Sequence, residues 1–299
     1  MRKRRRIAVF GGRGVIGAAI AKRLAADGHE VTIATHSHLA AKRPGHRYGD
    51  LLRPHTLLAA VAGMEVVVQS VNFHAYPFEK KRRGETFMAY DGIGTEHLVA
   101  AAEEDGVQRF VFIAGAGCRS GGDRPYWRAL RRGEAAVLGA AMDGICVEPT
   151  LVFGPNDRGL NRILSFARRT RIIPMLGTGN ELHQPIFVDD LAALVAQAVG
   201  DSDPTGAFAI GGPERLTMKQ LILRALAVSG LQATFVPVSP RLARFGAGVL
   251  EKMPGEILSR GGIEFAMEDF TADLSPVLSE FRVALTSIDD GFRSYMSST

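Results

Sequence analysis

Three features of the sequence predict an α/β fold: a doubly wound parallel sheet with a small C-terminal α+β lobe. Apolar, β-prone runs alternate with helical patterns through the first two-thirds of the chain. A glycine-rich turn stands at the first strand–helix junction. The remainder loses the alternation. Strand and helix in strict succession require right-handed crossovers, and hence a parallel sheet covered on both faces.

The elements follow in order. Ile7–Phe10 reads as a buried strand, and Val15–Ala26 as a helix closed by Gly28. Val31–Ala34 is a second strand, Arg47–Gly49 a short third, and Pro54–Ala62 a helix. Glu65–Val71 is an apolar strand with Glu65 at its edge. Thr95–Glu104 is a helix closed by Gly106, followed by the strand Phe110–Ala114. A helix over Trp127–Met142 leads to the strand Ile145–Glu148. After Pro149 the spacing predicts helices at Asn161–Arg169 and Asp189–Val199, a strand at Gln184–Val188, and a helix at Thr217–Val228 with Thr217 as N-cap. The expected division is a nucleotide-binding domain over 1–150, with 184–212 returning to its core. Residues 151–183 and 213–299 then form the small lobe.

Composition narrows the class. The 299 residues are 46% hydrophobic and 22% charged, a balance that supports a sizeable core and excludes disorder as the main state. The net charge of +5 and pI of about 9.4 fit attraction for anionic ligands. Basic residues are not interleaved with aromatics, so nucleic acid is not expected as a partner. Two cysteines, Cys118 and Cys146, are too few for a disulfide framework or a zinc site, and a reducing, cytoplasmic setting is expected. The basic run Arg2–Arg6 before Ile7–Phe10 imitates an export signal, but its apolar stretch ends at Gly11. No stretch is long and apolar enough to span a bilayer. The eight histidines form no ligand cluster, so no metal is expected. Neither a nucleophile elbow nor a P-loop appears. Oligomerisation is left open.

The turn Gly11-Gly12-Arg13-Gly14-Val15-Ile16-Gly17 lies between the first strand and helix. Missing Cβ atoms allow a tight turn and close approach of backbone to a pyrophosphate, while the helix N-terminus offers free N–H groups and about half a positive charge. In this setting the pattern is that of a Rossmann dinucleotide site, with Gly11, Arg13, Gly14, Val15, Ile16 and Gly17 against the phosphates. An NAD site places a carboxylate about twenty residues on, at the end of strand two. Here that strand ends Ala34-Thr35-His36-Ser37, without an acid. Arg13, Thr35, His36 and Ser37 could instead donate to a 2′-phosphate, with Lys42 and Arg43 shortly beyond. NADP(H) is therefore expected over NAD(H).

Further motifs resemble the extended, atypical branch of the short-chain dehydrogenase/reductase superfamily, over roughly the first 215 residues. They are Gly49-Asp50-Leu51, Val71-Asn72, Asp91-Gly-Ile-Gly-Thr95, Pro149-Thr150 through Pro155, Pro185 through Asp190, and Gly211 through Glu214. The resemblance implies that Asp50 and Leu51 lie at the adenine, Val71 and Asn72 at its ribose, and Pro149 and Thr150 beside the nicotinamide. The branch includes nucleotide-sugar epimerases, NmrA-type regulators and a complex I accessory subunit that holds NADPH without catalysis.

The catalytic positions depart from the pattern that the resemblance implies, a Ser or Thr followed by Tyr-x-x-x-Lys. Tyr126 fits the tyrosine, but Leu130 stands where the lysine belongs, and Phe112–Gly117 offers no hydroxyl. Glu148 takes the place of an arginine often seen before the proline of the strand-six motif. Leucine cannot ease ionisation of a phenol, so Tyr126 is expected to be a poor base at neutral pH. His74, Tyr76, Tyr90 and His183 are alternative proton donors, His74 foremost. Two functions are expected from this combination. One is an NADP(H)-dependent oxidoreductase that transfers hydride to or from a small carbonyl or conjugated substrate, with a non-standard proton donor. The other is a noncatalytic NADPH-binding sensor or structural protein.

Overall fold

Central to the chain is a seven-stranded, wholly parallel sheet whose inner strands are nearly continuous runs of Val, Ile and Phe. The computed structural model describes residues 3–73, 79–117, 122–157, 159–177, 179–200, 204–239 and 268–296. Its strands are β1 (Arg6–Phe10), β2 (Glu30–Thr35), β3 (His46–Tyr48), β4 (Val66–Gln69), β5 (Arg109–Ile113), β6 (Asp143–Pro149) and β11 (Gly206–Ile210), in spatial order β11-β6-β5-β4-β1-β2-β3. Ile7 pairs with both Val31 and Val66, which fixes β1 between β2 and β4. Strand order reverses at β1 and β4, and the crevice beyond their carboxyl ends is where a doubly wound sheet binds ligands. The fold class expected from the sequence is thus the one observed.

Two compact units divide the chain. The first comprises Met1–Pro149, Val188–Ile210 and Ala272–Ala284. On one face of its sheet α1 (Val15–Ala26) packs against α7 (Val188–Ala198). Helices α3 (Leu57–Val61), α4 (Thr95–Glu104) and α5 (Pro125–Leu138) pack in succession against one another, and α2 (His38–Ala41) lies beside β2 and β3. Buried Arg109 ties several elements together. Its guanidinium donates to the carbonyls of Ala198 and Pro204 at 3.2 and 3.4 Å and pairs with Asp143 at 3.4 Å.

The second unit comprises Thr150–Phe187, Gly211–Thr271 and Leu285–Thr299. It holds short strand pairs rather than a large sheet. β7 (Val152–Phe153) runs parallel to β10 (Ile186–Phe187), β8 (Ile172–Leu176) parallel to β13 (Thr234–Val238), and β9 (Leu182–His183) antiparallel to β12 (Leu216–Thr217). Its helices are α6 (Leu160–Thr170), α8 (Met218–Val228) and α10 (Ile288–Met296); the short α9 (Ser275–Glu280) belongs to the first unit. Thr217 caps α8 as expected, in a reciprocal box with Gln220.

Several elements differ from the sequence reading. β11, β8 and β13 were not foreseen as strands. β11 is the small-residue run Gly206-Ala-Phe-Ala-Ile210, and a proline interrupts each of the other two, at Pro174 and Pro237. The helix expected to start at Trp127 begins two residues earlier, where Pro125 takes the first turn without leaving an amide unpaired. A π-helical turn, Met88–Gly94, precedes α4.

Candidate dinucleotide and active site

The glycines of the first turn are there because neighbouring atoms occupy the space of their side chains. Gly11 has φ +83°, and a Cβ on it would lie 2.5 Å from the Ser70 carbonyl oxygen. A Cβ on Gly17 would lie 2.3 Å from the Gly11 oxygen and 2.5 Å from Ser70 Oγ. The turn closes through the Gly14 amide, which donates to the Gly11 carbonyl at 2.8 Å. Gly14 then precedes α1 in extended conformation, and no side chain caps the helix. The first amides of α1, on Val15, Ile16 and Gly17, have no intrahelical acceptor. Arg13 and Gly14 are exposed. This cradle fits a pyrophosphate. Sequence reasoning missed Ser70, which donates to the Phe10 carbonyl at 3.1 Å and braces the turn from β4.

At the end of β2 the hydroxyls of Thr35 and Ser37 organise the local backbone. Thr35 Oγ1 accepts from the Ser37 amide at 3.2 Å, and Ser37 Oγ accepts from the Ala40 amide at 3.3 Å, capping α2. Each hydroxyl keeps its own proton to donate. His36 is exposed. Pairing of Thr35 with Tyr48 brings β3 alongside. The Tyr48 ring stacks on His38 with centroids 3.9 Å apart and planes at 12°. Arg53 donates to Tyr48 Oη at 3.4 Å and pairs with Asp50 at 3.7 Å. Asp50 also accepts from the Leu52 amide at 3.0 Å, while Leu51 is buried. Sequence reasoning passed over His38, Tyr48 and Arg53. The signal that could have found Tyr48 was its place on the strand beside Thr35.

Val71 is half-buried and Asn72 exposed just beyond β4. His74 and Tyr76 lie outside the described residues, as does Cys118. Pro149 ends β6, and its carbonyl accepts from the Ala116 amide at 2.9 Å. In the second unit the Thr150 hydroxyl is buried and donates to the Gln184 carbonyl.

Tyr126 stands in the first turn of α5, where its hydroxyl points at Gly115. A Cβ on Gly115 would lie 2.6 Å from Tyr126 Oη and 3.3 Å from Leu130 Cδ1. The tyrosine ring packs against Phe87 and Trp127 at 5.0 and 4.7 Å, and Phe73 meets both Phe87 and Tyr90. Leu130, one turn on, is buried. The nearby arginines face elsewhere: Arg128 and Arg131 pair with Asp123, and Arg132 holds Glu96 through two bonds of 2.6 and 2.7 Å. Tyr126 therefore sits among aromatic and aliphatic side chains.

The other proposed donors are held differently. Burial, with Asp50 and Glu85 nearby, raises the Tyr90 pKa, so that phenol is a poor base. His183, in the second unit, is buried against Phe270, and burial lowers its pKa. Neither of its ring nitrogens has a partner among the described residues. A buried acid not foreseen from the sequence is Asp91, on the π-helical turn. Burial pushes its pKa up to about 8, and its Oδ2 has no partner among the described residues. Its backbone carbonyl accepts from Thr95 Oγ1 at 2.7 Å, and Thr95 in turn accepts from Gln69. Gly133 of α5 seats against the same carbonyl, where a Cβ would come within 2.2 Å. Among the described residues, no group of His, Cys, Asp and Glu could hold a metal ion.

The chain is similar to several known proteins. The 2-alkyl-3-oxoalkanoate reductase of Stenotrophomonas maltophilia (strain K279a) is 26% identical to this chain, over 98% of it and 99% of the relative. NADH dehydrogenase (ubiquinone) 1 alpha subcomplex subunit 9, mitochondrial, of Arabidopsis thaliana is also 26% identical, over 71% of this chain and 55% of that protein. Among solved structures, human epimerase family protein SDR39U1 (isoform 2) with NADPH aligns with a TM-score of 0.79 at 17% identity, covering 98% of this chain and all of that one. MoeE5 in complex with UDP-glucuronic acid and NAD aligns at 0.76 and 18% identity, covering 97% of each chain. At these identities the solved structures speak for the fold alone. No helix among the described residues is long and apolar enough to cross a membrane. The family model for the NAD dependent epimerase/dehydratase family matches residues 7–211. With that match and the motifs already described, the chain belongs to this family, within the extended branch of the short-chain dehydrogenases/reductases.

Proposed function

We propose that the protein is an NADP(H)-dependent reductase of a ketone carried on an apolar, alkyl-bearing substrate. The observation that carries this reading is the placement of Tyr126, a phenol aimed at Gly115 within a wall of Phe87, Trp127 and Leu130. The full-length similarity to a 2-alkyl-3-oxoalkanoate reductase supports the same substrate class. Gly11, Gly14, Val15, Ile16 and Gly17 would hold the pyrophosphate. Arg13, Thr35, His36 and Ser37 would receive a 2′-phosphate. Asp50, Leu51, Val71 and Asn72 would border the adenosine, and Pro149 and Thr150 the nicotinamide.

A dinucleotide held there would supply the hydride for the carbonyl carbon. The chain has to supply a proton to the carbonyl oxygen, and Tyr126 Oη is the donor on this reading. With Leu130 in place of a cation, the tyrosine lacks the ammonium that would stabilise a tyrosinate. Giving up its proton leaves that unstabilised tyrosinate behind, so the proton transfer is slower than it would be with a cation at position 130. Solvent restores the proton between turnovers. The apolar wall excludes water from the reacting carbonyl and selects against nucleotide sugars.

Loss of NADPH absorbance in the presence of 2-alkyl-3-oxoalkanoates of increasing chain length tests the proposal. Consumption that rises with chain length, and falls on the order of 10²–10⁴-fold in Tyr126→Phe, is expected. Tight NADPH binding with no turnover on any such ketone would favour the second reading, a noncatalytic NADPH-binding protein. The buried Leu130 and the lack of a hydroxyl over Phe112–Gly117 are the observations on that side.

A further inference from the structure

A basic turn lies between β4 and the π-helical turn of the first unit. Residues 79–86 read Glu-Lys-Lys-Arg-Arg-Gly-Glu-Thr, four cations in succession between two acids. Lys81, Arg82 and Arg83 form a single 3₁₀ turn, which Gly84 closes in the left-handed conformation at φ +71°. The Lys80 amide donates to the Glu85 carbonyl at 2.8 Å and the Arg83 amide to the Lys80 carbonyl at 2.8 Å, so backbone bonds fix the turn. Its charges are segregated. Lys81, Arg82 and Arg83 are exposed, and none of their side chains makes an ion pair or hydrogen bond among the described residues. The acids face inward: Glu79 accepts from the Phe87 amide at 2.9 Å, and Glu85 Oε2 is buried.

The turn is seated against the segment that carries Asp50. A Cβ on Gly84 would lie 3.8 Å from Leu52 Cδ1, so the glycine meets the residue between Leu51 and Arg53. Burial raises the Tyr90 pKa, and the nearby carboxylates of Asp50 and Glu85 raise it further, so the same two segments meet at one ring. All of these residues belong to the first unit. A single 3₁₀ turn has too few aligned peptides for a macrodipole that would call for cations. What the three cations share is a position beside the end of the cradle where adenosine would lie. A solvent-exposed charge acts over about 8 Å at physiological ionic strength, so it need not touch a ligand to attract it.

We propose that Lys81, Arg82 and Arg83 form a capture rim at the adenosine end of the cradle, which speeds the arrival of an anionic dinucleotide and speeds NADPH more than NADH. The proposal rests on the reading of the cradle as the dinucleotide site. Both dinucleotides carry a pyrophosphate, and the 2′-phosphate of NADPH adds about two further negative charges. A positive field at the mouth of a site raises the encounter rate of anions, and does so most for the most highly charged. Charges at a rim act on association and its salt dependence, whereas groups that grip a bound ligand act on dissociation. Exposed cations without partners suit the first role.

Stopped-flow mixing of the full chain with NADPH and with NADH, read by quenching of Trp127 fluorescence, tests the proposal. At low salt Lys81→Gln/Arg82→Gln/Arg83→Gln should slow NADPH association about tenfold and NADH association less, with dissociation rates within about twofold of the parent. At high salt the parent and the variant should converge. Arg82→Glu, in the middle of the turn, should slow NADPH association more than Arg82→Gln, because the rate follows charge. These single exposed substitutions also serve if the triple variant folds poorly. An unchanged NADPH association rate at low salt, equal slowing of NADPH and NADH, or a change confined to dissociation would overturn the rim and leave the cradle standing. Failure of the parent to bind either dinucleotide would overturn both.

Discussion

The hydroxyl of Tyr126 lies 2.6 Å from the point where a Cβ on Gly115 would stand, so the two residues are complementary in space. Glycine at the end of β5 is what lets the phenol occupy its position. Gly115→Ala should push the ring out of that slot and lower turnover on the order of a hundredfold or more. NADPH affinity should stay close to that of the parent, because residue 115 is remote in sequence and role from the glycine turn. Steady-state kinetics beside a binding titration separates these effects. A fully active Gly115→Ala would remove this geometry from the mechanism.

Gly17 makes a similar argument for the cofactor. A methyl group there would collide with the Gly11 carbonyl and Ser70 Oγ together, and one of those contacts is backbone. Gly17→Ala should cost about 1–3 kcal/mol of stability through overpacking. It should also cost more than tenfold in NADPH affinity, as the turn opens. Calorimetric titration at a temperature where the variant is folded reads the second effect. Unchanged affinity would mean that the pyrophosphate lies elsewhere.

Asp91 gives the fold a pH dependence. Its carboxyl, ordinarily at 3.8, is pushed up to about 8 by burial in the native state. Between those values the native state holds a proton that the unfolded chain has released. The native state's advantage from that proton is complete below the unfolded value and lost as pH rises through the folded one. In this window stability should fall by about 1.4 kcal/mol per pH unit. Asp91→Asn cannot ionise and should flatten the profile while raising stability at alkaline pH. Urea unfolding of both proteins across the window provides the comparison. Parallel profiles would show that Asp91 is not buried as described.

Much of the sheet could be read from the sequence, because β1, β4, β5 and β6 are buried on both faces and so appear as continuous apolar runs. The glycine turn was readable because backbone approach leaves no room for other residues at Gly11 and Gly17. β11 was not, since its small residues owe their extended form to pairing with β6. The absence of a lysine at position 130 was plain, but not that Leu130 would be buried and press on Gly115. Likewise the stacking of His38 on Tyr48, the bracing by Ser70 and the burial of Asp91 depend on contacts between distant segments. Local pattern carries no record of them.

On the proposed function the cradle holds NADP(H) beside Tyr126. Trp127, the only tryptophan in the chain, packs directly on that tyrosine and offers a built-in probe. Titration of the full chain with NADPH and with NADH, followed by quenching of its fluorescence, separates this from the alternatives. Saturable quenching with at least tenfold tighter binding of NADPH is the predicted result. Tighter binding of NADH, or no binding of either, would contradict it.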